Sequence, residues 1–359
     1  MIAALLGMAL AIAPAPAVDT LTDTVFVVTN RRRTATGFTR EVSDSLWYGV
    51  YVTRNVTDAA AARALAPMQV TAVDSSALDE HAWSERLRAA VRDASARAAA
   101  LVFVHGYASD PATALTQGVQ VRARGMHRGP LIVFLWPAHG VATAVPRLAR
   151  AYRDDARAAA QSGTAFAHVM RTVDSLTPGA VLVAHSMGSR VALAAIVSDL
   201  PTHSALTARP LRAIGLFSPD VGATRFRDAF APVLPSLAHR VALYGAATDY
   251  LLGASVVLNR ERRAAAIANR GEPLSGIELI DDTHGARAEP AVLRLFGPRH
   301  SVRWASAALG DFFAVVVSGA NPSCRVDAGT ADAAGEGRWR LRRNVVPSAW
   351  FGAGCAPIP

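Results

Sequence analysis

The chain has 359 residues, of which 51% are hydrophobic and 18% charged, enough apolar material for one sizeable core. Its formal net charge of +9 comes from arginine alone, since the sequence contains no lysine. Those arginines are spread among alanines and form no basic stripe interleaved with aromatics, which argues against a nucleic-acid partner. The short run Arg338-Trp339-Arg340-Leu341-Arg342-Arg343 reads as a solvated segment.

Residues 1–13 are apolar and lead into Ala13-Pro14-Ala15-Pro16-Ala17, which holds two small-x-small cleavage patterns. This is the form of a secretory signal peptide, so a leader over 1–17 and export to the periplasm or exterior are expected; without cleavage the chain would stay in the cytoplasm. The apolar run is too short to span a bilayer, and no other stretch reaches about 18 apolar residues, so no stable membrane span is expected. Both cysteines, Cys324 and Cys355, lie in a C-terminal tail over 319–359. In an exported chain they could pair and tie that tail down, and two isolated thiols do not make a zinc site.

The main domain, expected over 24–318, begins with Thr24–Asn30, a strand, and Leu46–Thr53, a second one; together they predict an antiparallel sheet edge. Trp83, Leu87, Ala90, Val91 and Ala94 recur at helical spacing, with Asp79 or Ser76 near the start. Ala100–Val104 is a buried strand running into His105-Gly106-Tyr107. A helix over 111–124 and a strand over 130–137 follow, then an alanine-rich helical stretch over 147–176 with a break near Gly163.

Val181-Leu182-Val183-Ala184 predicts another buried strand, ending in His185-Ser186-Met187-Gly188 and then a helix-forming run. Strands over 211–217, 240–244 and 276–280 come next. The repeated order β, α, β, α with short apolar strands predicts an α/β fold: a mostly parallel sheet with helices on both faces and its ligand site at the strand C-termini.

A serine in a sharp strand-to-helix turn is suited to nucleophilic attack, because the turn projects Oγ away from the backbone. The pattern Ala184-x-Ser186-x-Gly188 is looser than G-x-S-x-G, alanine standing where the first glycine would be. A helix N-cap serine is the plainer reading of Ser186 on its own. An activated serine also needs an imidazole and an acid to orient it, which in such elbow folds follow in the chain order serine, acid, histidine. Asp220 and Asp249 both qualify as acid, with Asp249 favoured by its later strand. His284 and His300 both qualify as base, with His300 favoured because it leads into the final helix. The backbone N–H groups of Met187 and Tyr107 are the candidate oxyanion donors, and His105, which precedes the serine, is assigned to supporting its turn.

The set Phe26-Val27-Val28-Thr29-Asn30-Arg31, Val102–Tyr107, Phe134-Leu135-Trp136-Pro137, Ala184–Gly188, Ser218-Pro219-Asp220-Val221 and His300-Ser301 resembles an α/β-hydrolase family of unknown function, whose members are usually labelled esterase/lipase-superfamily proteins. The resemblance covers about Val25 to Phe313. It implies Ser186 as nucleophile, His300 as base and Asp249 as acid, with Asp220 the alternative, and no metal or organic cofactor. Ala108, Ser189 and Gly222 depart from the side chains common in that family, which bears on loop geometry and substrate choice. The expected activity is hydrolysis of a small-molecule acyl ester through an acyl-enzyme, thioesters and amides being related options. The rival is a noncatalytic scaffold that keeps the fold.

Overall fold

The computed structural model describes residues 19–57, 69–94, 99–139, 145–177, 179–198, 211–247, 249–284, 306–342 and 355. Eleven strands form one sheet: β1 (Asp19–Thr34), β2 (Gly37–Thr57), β3 (Gln69–Leu78), β4 (Leu101–Val104), β5 (Leu131–Phe134), β6 (Val181–His185), β7 (Leu211–Phe217), β8 (Ala238–Gly245), β9 (Ile277–Asp281), β10 (Ala331–Gly335) and β11 (Arg338–Leu341). Their spatial order is β10-β11-β9-β8-β7-β6-β4-β5-β1-β2-β3. From β11 through β1 every neighbouring pair is parallel, while the β1–β2–β3 meander and the β10–β11 hairpin are antiparallel edges.

The central strands are buried on both sides, as their unbroken apolar runs require. Alternation along β4 sends Val102 and Val104 into one core and Leu101 and Phe103 into the other. The first core is covered by α1 (Glu80–Asp93), α3 (Val145–Gln161), α4 (Gly163–Leu176) and α5 (Gly188–Ser198), and the second by α2 (Pro111–Arg124). The expected helix over 111–124 and the break at Gly163 are therefore both present. Asp79 caps α1 by accepting from the Ala82 N–H at 2.7 Å, and Asp110 caps α2 from Thr113 in the same way. Two further helices matter below, α6 (Tyr250–Asn259) and α7 (Ala265–Arg270), and α8 (Ser306–Asp311) covers the second core beside α2.

The C-terminal residues extend the sheet. The run expected to be solvated contributes β11, which pairs in parallel with β9, Trp339 opposite Ile280. Its neighbourhood is clamped by charge: Arg325 is fully buried, gives two hydrogen bonds to Asp311 at 2.6 and 2.9 Å and one to Glu278 at 2.5 Å, and lies over the Trp339 ring. Arginine's planar fork suits this double carboxylate site. Next to Arg325, Cys324 is bonded to Cys355, closing a separation of 31 residues. By chain entropy that closure is worth about 3 to 4 kcal/mol.

Candidate active site

The sheet aligns the ends of its central strands. His185 pairs with Phe217, Phe217 with Tyr244, and Gly245 with Asp281, so β6 to β9 finish in one row. The residues that follow, Ser186, Ser218, Ala246 and Asp282, thus stand at one edge, where a parallel sheet presents its ligand site.

Ser186 has φ 51°, in the left-handed region that non-glycine residues avoid at a cost on the order of 1 kcal/mol or more. Three backbone bonds hold it there: its N–H donates to Phe217 O at 2.9 Å, and its carbonyl accepts from Ser189 and Asp220, each at 3.1 Å. Gly188 shows why the turn needs a glycine. A Cβ there would lie 2.3 Å from His105 O and 2.6 Å from Val104 O, both backbone atoms unable to yield. At position 184 alanine is accommodated, fully buried within β6 between Val104 and Leu216.

The His105-Gly106 turn packs directly on the serine. A Cβ on Gly106 would come within 3.0 Å of Ser186 Cβ, so this glycine lets the β4 loop reach the elbow. His105 is fully buried, stacks on Trp136, and donates Nδ1–H to Gly106 O at 3.0 Å, a carbonyl being only an acceptor. Trp136 Nε1 donates in turn to His105 O at 2.8 Å, and Arg31 donates to Trp136 O at 3.1 Å. The separate sequence motifs at Thr29–Arg31, Trp136 and His105 thus form one chain of contacts ending at Ser186. The support role expected of His105 is what its bonds describe.

Burial pushes the His105 imidazole down from 6.5 to about 3. The folded protein therefore keeps it neutral while the unfolded chain protonates it below pH 6.5. Stability is full above that value and falls as the pH drops toward 3, by up to about 1.4 kcal/mol per pH unit from this group. Urea midpoints measured between pH 7 and 4.5 should show this slope, and His105→Asn, which keeps a donor near Gly106 O, should lessen it by close to one proton.

The two candidate acids have different surroundings. Asp220, 2% exposed, accepts at Oδ2 from Tyr152 Oη at 2.7 Å and lies 3.4 Å from Arg190 Nη2; at Oδ1 it accepts from Ser255 Oγ at 2.6 Å and lies 3.2 Å from Arg263 Nε. Its carbonyl also accepts from Arg190 Nε at 2.7 Å, and its N–H meets Ser186 O. Both carboxylate oxygens are thus engaged by α3, α5, α6 and the Arg263 segment. Asp249, 7% exposed, lies four residues beyond β8 and caps α6 through Oδ1, which accepts from the Leu252 N–H at 3.0 Å.

His284 sits, partly buried, in the turn just past β9, three strands from β6. At about 4.8 Å per strand the lateral gap to the serine is ~14 Å, more than a histidine in a tight turn readily closes. His300 lies outside the described residues, as do the whole leader over 1–17 and the His300-Ser301 motif. Among the described residues no group of three metal-ligating side chains occurs.

A residue absent from the sequence reasoning is Asp155 of α3. Fully buried, it accepts from the Ala108 N–H at 3.3 Å and from His139 N at 2.8 Å and Nδ1 at 2.5 Å, and so ties down the loop after Tyr107. Desolvation raises its pKa, and the bonds from His139 and Ala108 act against that rise. The Asp154-Asp155 pair inside an alanine-rich helix was the available signal, one member facing solvent and the other the core.

With this geometry in view, residues 79–282 match a family model described as "Alpha/beta hydrolase of unknown function (DUF900)". The chain belongs to that family. The match spans α1 through the end of β9 and so includes the elbow, the His-Gly turn and both candidate acids. No curated protein matches the sequence.

Proposed function

We propose that this α/β hydrolase is a serine hydrolase of carboxylic esters or related acyl substrates. The observation that carries the reading is Ser186 in a left-handed elbow at the strand ends with the His105-Gly106 turn packed against it. Ser186 Oγ attacks the substrate carbonyl while His300 takes its proton; Asp249 orients His300 and stabilises the cation. The tetrahedral oxyanion is held by the N–H groups of Met187, at the start of α5, and Tyr107. Collapse expels the alcohol, protonated by His300, and water activated by the same histidine releases the acid.

Two considerations support the pairing of Asp249 with His300. Both oxygens of Asp220 are already engaged by two arginines and two hydroxyls, and Asp249 follows β8, the later of the two strands. A base at His300 also has chain enough, 19 residues past the end of β9 at Asp281, to cross back over β8 and β7. The test is turnover of soluble short-chain p-nitrophenyl esters by the purified protein and by Ser186→Ala. We expect the variant to lose at least about 10³-fold in kcat; equal rates would reject the assignment. Export after cleavage near Ala17 belongs to the same proposal, and a mature protein still beginning at Met1 would refute it.

A further inference from the structure

Helix α6, Tyr-Leu-Leu-Gly-Ala-Ser-Val-Val-Leu-Asn, has no charged side chain. At 100° per residue Leu252, Ser255 and Asn259 share one side, and Leu252 and Ser255 are buried there. Val257, Tyr250, Ala254, Leu258 and Leu251 fill an arc of roughly 120° on the opposite side. Of these, Tyr250 is 70% exposed, Leu251 52%, Val257 77% and Leu258 38%. Among the described residues, four of the seven exposed large apolar side chains belong to this one helix, so the exposure is a patch and not scatter. An uncharged helix with a broad apolar arc is at home with that arc in a core or at a lipid interface, yet here the arc faces out.

The surroundings are cationic. Arg260 ends the helix and Arg262 follows it, both exposed, and Arg227 and Arg270 stand exposed across a cavity of about 450 Å³ that α6 shares with α7. Of the nearby acids, Glu261 turns back to the Thr224 N–H, Asp249 is used as the helix cap, and Glu272 is exposed at the same cavity, so the four exposed arginines outnumber the exposed acid there. An apolar face with an arginine rim matches an anionic lipid surface, apolar side chains entering the acyl region and guanidinium groups meeting the headgroup phosphates. A two-fold contact with a second copy would instead bring two arginine rims together.

Position ties the patch to the site. Asp249, the α6 cap, follows β8 at the sheet edge that carries Ser186, so a surface seated on the first turn of α6 lies beside the elbow. We infer that α6 is an interfacial docking helix, which seats the protein on anionic lipid and delivers water-insoluble lipid esters to the Ser186 site. The substrate half of this inference rests on the proposed ester hydrolysis; the docking half does not.

The test is cosedimentation of the full chain with vesicles of phosphatidylcholine alone or mixed with phosphatidylglycerol. The unmodified protein and Ser186→Ala should bind the mixed vesicles equally. Leu251→Glu with Val257→Glu should weaken that binding roughly tenfold or more while soluble-ester turnover stays unchanged, since both side chains point away from the core. Arg260→Gln with Arg262→Gln should weaken binding to the mixed vesicles more than to phosphatidylcholine. Absence of vesicle binding, equal binding by the glutamate variant, or a dimer that this variant dissociates would overturn the inference. Intact docking without ester turnover in any form would count against the hydrolase reading alone.

Discussion

Replacing His300 with alanine is expected to lower kcat for a soluble ester by at least about 10³-fold, and replacing His284 to change it by no more than a few-fold. The difference follows from reach. His284 is fixed in the turn after β9, three strands from the serine, and the much longer connection to His300 can bring an imidazole back over the intervening strands. Asp249→Asn completes the comparison. Asparagine caps a helix about as well as aspartate, so the α6 N-cap and the melting temperature should be nearly retained. The negative charge proposed to hold the histidine tautomer is lost, and kcat should fall on the order of 10⁴-fold. Steady-state kinetics alongside thermal melts of the three variants check this, and a His284→Ala enzyme as inactive as His300→Ala would reverse the assignment.

Asp220→Ala should act on stability, costing about 3 to 5 kcal/mol. Removing the carboxylate leaves Arg263, 4% exposed, without its 3.2 Å ion pair, takes one acceptor from each of the Ser255 and Tyr152 hydroxyls, and weakens the tie between Arg190 and the elbow. Urea unfolding measures the loss. Asp220→Asn, which keeps volume and some hydrogen bonding, should lose less stability and retain most of kcat; a fall in kcat matching that of Asp249→Asn, with unchanged stability, would make Asp220 the catalytic acid instead.

Much of this fold was legible because its central strands are local signals. Runs such as Leu101–Val104 and Leu131–Phe134 are apolar throughout because both faces of a parallel strand are covered, and Gly163 marks the helix break where its neighbour Ala194 leaves no room for a side chain. The edges were less readable. In β3, Gln69–Leu78, and in the β10–β11 hairpin, pairing partners far away in sequence decide the conformation, and half-exposed residues carry weak periodicity. Trp339 looked like part of a solvated basic run because nothing local reveals that Arg325 is buried beneath it. Helix α6 was missed for a related reason: its apolar residues face outward, so the usual inference from apolar spacing to burial fails there.

At the site, the serine, its glycine and the His-Gly turn could be read from spacing, since each is demanded by close backbone approach. Asp249 was favoured over Asp220 from chain position alone; the network that engages Asp220 could not be read, because Tyr152, Arg190 and the Ser255–Arg263 stretch converge on it from distant parts of the chain. Asp155 was hidden in the same way, its buried side chain distinguished from the partly exposed Asp154 only by the packing of α3.

Reaction of the purified protein with a fluorophosphonate probe, followed by mass mapping, tests the central claim most directly, since only an activated serine reacts at an appreciable rate. A single adduct on Ser186 that disappears in Ser186→Ala is expected; folded protein that takes up no label, or carries it on another residue, would contradict an activated Ser186.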